Sequence, residues 1–300
     1  MSDFDNLFES QAPRQTAEGK PFDKEAWAKM KQEERQEVYS WADATAQQVA
    51  DDPGKFQEYL DVQSRFDRYS ATNALLIMHQ RPDATRIMDF DSWKERGAHI
   101  KRDSEGICIL EPGGAYERED SSIGTSWNVK KVFDISQTTA RAKRNDAPKV
   151  DDRLLLKALI NNPPVPIRLV DELAGNAVAV YDHQQQAVFV RRNMAAPDLF
   201  RFVSVALARA EIAAASRTYD PDRAAFTSYC VSYILGKKYG MDVSNYNFTK
   251  APVEFSEMDA KGIRAVLSEI RDTAHEISSR MYRVLEQARE QETKGKEQER

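Results

Sequence analysis

The sequence predicts an α+β fold in two domains, and three observations lead to this prediction. Apolar residues recur at helical spacing in both halves of the chain, short runs of β-branched and aromatic residues lie between the helices, and residues 136–150 are poor in apolar side chains and basic. A length of 300 residues suits about two domains. A hydrophobic content of 41% is enough to form buried cores.

The N-terminal domain, residues 23–140, is predicted to begin with three helices. Apolar periodicity indicates an amphipathic helix over residues 24–49 and a second helix over residues 56–66. A polar entry then leads into the apolar run at 74–78, and Pro82 ends this third helix because its ring cannot continue the helical backbone. The third helix is therefore expected to be short and buried, with polar groups at its start.

A capped helix and three strands are predicted to complete this domain. Asp89 is expected to cap a helix of about two turns. Runs of β-branched and aromatic residues at 98–101, 106–110 and 127–135 indicate a small antiparallel sheet. Residues 111–126 are mostly Gly, Ser, Glu and Asp, which favours an exposed loop within the sheet.

The C-terminal domain, residues 151–285, is predicted to combine helices with short strands. The helix that starts at Pro197 is apolar on almost all sides, which is typical of a buried helix. The last long helix is expected to be capped by Ser256. The other predicted elements are helices at 154–159 and 222–239 and strands at 166–170, 177–181 and 187–191.

Three further segments are too polar to join either domain. Residues 1–22 are expected to form a disordered N-terminus, residues 141–150 a basic linker, and residues 286–300 a charged tail that frays into solvent. The N-terminus is acidic, and no apolar run approaches the roughly 18 residues of a membrane span, so neither a signal peptide nor membrane association is predicted. The protein is expected to be cytoplasmic.

Charge and cysteine content limit the possible chemistry. The net charge of -5 is not typical of a nucleic-acid-binding protein, so an anionic ligand would need a local basic patch. Cys108 and Cys230 lie far apart in apolar surroundings and are expected to be reduced core thiols. A cysteine metal site is therefore excluded.

The order of elements in the C-terminal domain resembles that of gluzincin-like metallopeptidases. Their buried helix carries His-Glu-x-x-His, because residues at i and i+4 can both reach one zinc ion while the Glu handles the proton of the bound water. Here those positions lack imidazole and carboxylate groups, so no metal, cofactor or catalytic residue is predicted, and the protein is not expected to be an enzyme. Arg209 either fills the space of the metal with its positive charge or reaches solvent like an ordinary arginine. The degenerate metal-site positions are Val205, Ala206, Arg209, Thr227 and Tyr229.

The N-terminal domain interleaves basic residues with aromatic ones, as single-stranded nucleic acid requires. Cations bind phosphates, and flat rings stack on exposed bases with roughly 1 to 3 kcal/mol per base. Trp93, at helical spacing from Phe90, is more often a core residue than a stacking platform, Tyr69 could serve either role, and the basic residues by default form a solvated surface. The candidate nucleic-acid-binding residues are Arg65, Arg68, Tyr69, Asn73, Arg81, Arg86, Trp93, Lys94, Lys101 and Arg102.

Three strings in this domain resemble the ArdC family of antirestriction proteins from plasmids and conjugative elements. They are RFDRYSATN at residues 65–73, QRPDATR at 80–86 and VFDISQT at 132–138, and with their spacing they cover about residues 24–140. The resemblance implies binding to single-stranded DNA in the service of a mobile element. The C-terminal domain is similar in its order of elements to the zinc-peptidase-like domain of that family, but this chain departs from the family's metal motif, so metal binding and proteolysis are not carried over.

Two other functions remain open. The apolar stripe of the last helix could bind a protein partner, or it could pack on its own domain. A metal-dependent peptidase would need ligands that these patterns do not identify. The stripe includes Ile263, Ile270, Ile277 and Met281.

Overall fold

The computed structural model describes residues 23–117, 123–141, 150–216 and 218–298, and it describes their side chains except at 116–117 and 292–298. Helices combine with two small sheets, so the predicted α+β class is confirmed. The expected disordered N-terminus and residues 142–149 of the expected linker lie outside the described residues.

The helices of the N-terminal half are α1 (Lys24–Asp51), α2 (Pro53–Arg65), α3 (Ala71–Gln80) and α4 (Phe90–Glu95). A side-chain oxygen accepts hydrogen bonds from the first free backbone N–H groups of each helix, which is the role of an N-cap. The capping residues are Asp23, Asp52, Ser70 and Asp89, in chain order. α3 is buried along almost its whole length, as its apolar sequence predicts.

The N-terminal sheet has three antiparallel strands, β1 (Ile87–Met88), β2 (Ile107–Glu117) and β3 (Ile123–Asp134), in the order β1-β3-β2. The β2–β3 hairpin is longer than predicted, because both strands extend into the segment 111–126 that its composition assigns to a loop. A bulge between Pro112 and Ala115 lets the pairing continue. The prediction of a strand at 98–101 is wrong, because this segment forms an isolated bridge, from Ile100 to Thr138, and no strand.

Two amide side chains of α3 pair with the backbone of the edge strand β2. Asn73 donates to the carbonyl of Leu110 and accepts from its N–H, both at 2.8 Å. Gln80 makes the same pair of hydrogen bonds with Cys108, at 2.9 and 2.8 Å. The helix thus satisfies polar groups that an edge strand leaves unpaired and fixes the hairpin against α3.

Asp134 joins the end of β3 to the segment before β1. Its carboxylate accepts hydrogen bonds from the N–H groups of Thr85 at 2.7 Å, Arg86 at 2.9 Å and Ser136 at 2.8 Å. Burial alone would raise the pKa of Asp134, but these hydrogen bonds outweigh burial and hold the pKa below its usual value. Two of the three ArdC-like strings therefore meet in one hydrogen-bond network.

The C-terminal half contains α5 (Asp152–Leu159), β4 (Ile167–Val170), β5 (Ala179–Asp182), β6 (Ala187–Arg191), α6 (Ala196–Ala215), α7 (Pro221–Tyr239), α8 (Ala251–Glu254) and α9 (Ala260–Gln298). The sheet has the order β4-β6-β5, in which β4 pairs with β6 in parallel and β5 pairs with β6 antiparallel. The helices and strands predicted for this half are confirmed. The structure adds one short helix, α8, which the sequence patterns do not indicate.

Both ends of α9 differ from the prediction. The first turn is capped by Asp259, whose carboxylate accepts from the N–H of Gly262 at 2.7 Å. Ser256, the expected cap, instead donates to the carbonyl of Val253 at 2.8 Å. The helix also continues past residue 285 to Gln298, so the segment expected to fray is helical to that point.

One hydrophobic core joins the two halves of the chain. Phe56 of α2 is fully buried, and its ring contacts those of Phe226, Phe248 and Phe255 at centroid distances of 5.5, 5.4 and 5.5 Å. The stripe of α9 lies in the same core, where each of its four apolar side chains is 0% exposed. The stripe packs on the chain itself, which removes it as a surface for a partner. Among the described helices, none is both long and apolar enough to cross a bilayer.

Candidate nucleic-acid interface

A groove of about 520 Å³ lies between the start of α3, the start of α4 and the β2–β3 hairpin. Arg68 and Tyr69 line it from the segment before α3, Trp127 and Lys130 from β3, and Arg271 from α9. We call it the Tyr69 groove. It is the place where the structure gathers aromatic and basic side chains of the predicted binding domain.

Tyr69 presents a partly exposed ring to this groove. The ring packs edge-on against Phe66, with ring centroids 5.9 Å apart. The carbonyl of Tyr69 accepts hydrogen bonds from Gln63 Nε2 at 3.3 Å and Arg271 Nε at 3.0 Å. Partial burial raises the pKa of the hydroxyl, so the ring stays neutral at pH 7. A flat ring held in this way is a suitable surface for an unpaired base.

The charges in the groove are partly balanced. Lys130 Nζ lies 2.9 Å from Asp89 Oδ2 and 3.2 Å from Glu111 Oε2. Hydrogen bonds from Ser92 and Lys130 lower the pKa of Asp89 to about 2, so this carboxylate remains charged and holds Lys130. Arg68 is exposed at the rim. Arg68 is therefore the more accessible cation, whereas much of the charge of Lys130 is already neutralised.

Arg271 connects the C-terminal half to the groove. Its Nε donates to the carbonyl of Tyr69 at 3.0 Å, and its Nη2 donates to the carbonyl of Arg68 at 3.1 Å. Its Nη1 pairs with Asp272 at 2.7 Å. Because the two carbonyls belong to the residues that carry the groove's ring and accessible cation, α9 fixes the backbone of the site.

Asn73 and Trp93, two of the predicted binding residues, serve the fold. Asn73 lines the groove, but its amide is taken up by the backbone of Leu110. Trp93 is only 2% exposed, and its Nε1 donates to the carbonyl of Phe133 at 2.8 Å. The expectation that Trp93 is a stacking platform is therefore corrected, because its ring is enclosed and its N–H is paired.

Arg65 and Lys101 also use their side chains inside the protein. Arg65 Nε donates to the carbonyl of Ala84 at 3.0 Å, and its Nη2 donates to the carbonyl of Pro82. Lys101 Nζ donates to the carbonyl of Ser136 at 2.8 Å. Both residues thus hold loops of the N-terminal half in place.

The remaining predicted residues do not gather in the groove. Arg81 lines a second cavity of about 650 Å³, together with Trp41 and His79, whose rings stack with centroids 5.7 Å apart. The other three are exposed but line neither cavity: Arg86, Lys94 and Arg102. Of the ten predicted residues, the groove therefore brings together Arg68, Tyr69 and Asn73.

Sequence reasoning missed Trp127, Lys130 and Arg271 as site residues. Trp127 and Lys130 lie on the predicted strand 127–135, but alternation along a strand places these two positions on opposite faces, so the strand pattern alone does not bring them together. Nothing in the local sequence of α9 indicates that Arg271 reaches the segment before α3, because that contact depends on tertiary packing.

The predicted degenerate metal positions lie on the packed helices α6 and α7. Arg209 of α6 reaches across to α7, where its Nε donates to Ser228 Oγ at 3.4 Å. Thr227 is 1% exposed, and the hydroxyl of Tyr229 accepts from the N–H of Asn247 at 2.8 Å. The polar groups of Arg209 and Tyr229 are therefore used within the protein, whereas Thr227 Oγ1 is buried without a hydrogen-bond partner among the described residues.

These residues do not fit a divalent metal ion. Val205 and Ala206 offer no donor atoms, and the guanidinium of Arg209 would repel a cation. In the part of the chain that the structure describes, no three His, Cys, Asp or Glu side chains are close enough to hold a metal. Glu211, the acid nearest in sequence on α6, forms an ion pair with Arg280 of α9, and burial raises the pKa of Glu211.

Comparison with known proteins identifies the N-terminal domain. Residues 28–157 match the family described as the N-terminal domain of the anti-restriction factor ArdC, and no curated protein matches the chain at a significant level. Among solved structures, the chain is similar to the metal-free crystal structure of the antirestriction ArdC protein from the R388 plasmid, with 12% identity, a TM-score of 0.48, and coverage of 72% of this chain and 86% of that one. The Mn(II)-bound structure of that protein gives 14% identity, a TM-score of 0.47, and coverage of 74% and 97%. Residues 28–157 therefore form an ArdC-type N-terminal domain.

Proposed function

We propose that this chain binds single-stranded DNA in the Tyr69 groove and acts in the cytoplasm as an antirestriction protein of a plasmid or conjugative element. The observation that supports this proposal is the groove itself, a concave surface lined by Arg68, Tyr69 and Trp127. The groove lies within the domain that matches the ArdC N-terminal family, apart from Arg271.

The groove favours unpaired strands for a physical reason. A ring can stack on a base only when the face of that base is not covered by its neighbours, which is the case in single strands, loops and ends. Tyr69 and Trp127 can each receive such a base, while Arg68 binds a phosphate between them. In a duplex the base faces are already stacked, so only the phosphate contact would remain.

The balance of charge in the groove predicts moderate dependence on salt. Each phosphate neutralised on a single strand contributes about -0.7 to the slope of log K against log salt concentration. Because Lys130 is already paired with Asp89 and Glu111, Arg68 dominates the response of the groove. We expect a slope near -1 for a short oligonucleotide confined to the groove.

For the C-terminal half we propose a supporting role without metallopeptidase activity. Aliphatic and guanidinium groups replace the ligands of a zinc site at Val205, Ala206 and Arg209, and the hydroxyls of α7 do not make up for them. What this half does supply to the binding site is Arg271, which holds the carbonyls of Arg68 and Tyr69.

The proposal is tested by titrating labelled oligonucleotides with the full chain and following fluorescence anisotropy. We expect tighter binding to an unstructured single strand than to a hairpin duplex of the same composition at 50 mM salt, and weaker binding to both at 200 mM. Equal affinity for the two forms at low salt would overturn the assignment.

The metal part of the proposal has its own measurement. Elemental analysis of the purified chain is expected to find no stoichiometric zinc or manganese, also after incubation with the metal and removal of the excess. A stoichiometric metal that survives dialysis would contradict it.

A further inference from the structure

A second aromatic and basic surface lies on the α1 side of the same hairpin. One cavity of about 360 Å³ is lined by Arg35, Tyr39 and Trp127, and another of about 450 Å³ by Trp27, Lys31 and Arg35. We call these α1 residues, Trp27, Lys31, Arg35 and Tyr39, the α1 flank. They repeat every four residues, so one side of α1 faces the hairpin with two cations between two rings.

The α1 flank is continuous with the Tyr69 groove. Trp127 lines both the groove and the smaller of the two flank cavities. Arg35 lines both flank cavities. Two side chains therefore connect three concave surfaces into one track around the edge of the hairpin.

The chemistry of the flank suits a nucleic-acid strand better than that of the groove does. Among the described residues that line the two flank cavities, none is Asp or Glu, whereas the groove contains Asp89 and Glu111. Lys31 pairs with Glu34 at 2.7 Å, which leaves Arg35 as the main cation for phosphate.

Exposed tryptophans lie where the groove meets the α1 flank and in the cavity farthest from the groove. Trp27 is 48% exposed and Trp127 is 38% exposed. Large aromatic side chains that remain accessible beside cations indicate a binding surface. Side-chain amides of Gln32, Gln36 and Asn128 lie along the same cavities and can form hydrogen bonds with base edges.

We infer that a single strand held in the Tyr69 groove continues over Trp127 onto the α1 flank, where Arg35 contacts a phosphate and Trp27 stacks on a base. This inference rests on the proposed function and extends it by assigning a second subsite. The full site then consists of two segments, of which a short oligonucleotide fills only the first.

The test compares oligothymidylates of about 4 and about 16 nucleotides, lengths that bracket the site sizes of single-strand-binding folds. In the full chain, Arg35→Ala should weaken binding of the long oligonucleotide by about threefold to tenfold and reduce its salt slope by about 0.7, while binding of the short one is unchanged. Trp27→Ala should give a similar loss for the long oligonucleotide. Arg153→Ala is the matched control, because it removes the same charge from an exposed site on α5.

The possible results separate the two proposals. Equal effects of Arg35→Ala and Arg153→Ala on the long oligonucleotide, in a chain that still prefers single strands, would overturn the second subsite alone. A wild-type chain that shows no preference for single strands at either length would remove the proposed function, and the second subsite with it. Thermal melts of each variant confirm that the compared chains are folded.

Discussion

The Tyr69 groove and the α6–α7 helix pair differ in what their polar groups contact. In the groove, Tyr69 and Trp127 leave ring surface open beside the exposed Arg68, and the polar contacts that define it lie behind the surface. Between α6 and α7, Arg209 donates a hydrogen bond to Ser228, so its guanidinium is used within the protein itself.

A binding site depends on polar and aromatic side chains that the protein does not use for its own contacts. Both regions contain residues that the sequence patterns single out as candidates for binding or chemistry. Only the groove combines a concavity of about 520 Å³ with open ring faces and an accessible cation. Substitutions in the N-terminal half test whether binding of single-stranded DNA depends on the groove.

The largest expected effect is the loss of stability when Trp93, a buried core ring, is replaced. Trp93→Ala removes a side chain that is 2% exposed and an N–H that is paired with Phe133, so we expect the free energy of unfolding to fall by about 3–5 kcal/mol. Urea unfolding measures the loss. The affinity of the folded fraction for single strands should stay within about twofold of wild type; a variant of normal stability that no longer binds would assign Trp93 to the interface after all.

Tyr69→Ala should have the opposite profile. Loss of a stacking ring costs about 1–3 kcal/mol of binding, or about tenfold to a hundredfold in affinity, whereas stability should change less because the ring is only partly buried. Tyr69→Leu is the matched control for packing against Phe66, since it keeps an apolar side chain but offers no ring. Anisotropy titrations in which the Leu variant binds like wild type would exclude stacking at this position.

Asp89→Asn should strengthen binding. The substitution removes a carboxylate that holds Lys130, while asparagine still caps α4 as well as aspartate does. We expect affinity for single strands to rise about threefold and the salt slope to steepen by up to about 0.7. An unchanged or weakened affinity in a folded variant would show that Lys130 does not face the ligand.

The smallest expected effect is on acid stability. Because the pKa of Asp89 is lowered to about 2 in the folded chain, its stabilising contribution is present above about pH 4 and is lost as the pH falls towards 2. Wild type should therefore lose slightly more stability between pH 4 and pH 2.5 than Asp89→Asn does. Urea midpoints at the two pH values measure the difference, and parallel losses would argue against the lowered pKa of Asp89, which the hydrogen bonds from Ser92 and Lys130 produce.

Much of the fold could be predicted from local sequence. The apolar run of α3, the Asp89 cap of α4 and the short strands around β6 follow from patterns within a few residues. The length of the β2–β3 hairpin could not be predicted, because the Gly-rich, polar composition of residues 111–126 is typical of a loop. In the structure a bulge between Pro112 and Ala115 lets strand pairing continue through this segment. The end of α9 was misjudged because a charged segment can remain helical when it continues a well-anchored helix.

The site could be predicted only in part. Arg68 and Tyr69 stood out as a cation beside a ring, yet the same pattern included Trp93, and local sequence does not tell an enclosed ring from an open one. Asn73 belonged to a distinctive string because it holds the edge of β2, which is a structural duty. Arg271 required knowledge of how α9 packs against a segment about two hundred residues earlier in the chain.

The central claim is that the Tyr69 groove binds the strand and the α6–α7 pair does not. The most direct measurement is photocrosslinking of a single strand that carries 5-bromodeoxyuridine to the full chain, followed by mass spectrometry of the modified peptides. The account predicts adducts on the peptides that contain Tyr69 or Trp127. Adducts confined to the C-terminal half, such as at the stacked rings of His183 and Tyr219, would contradict it.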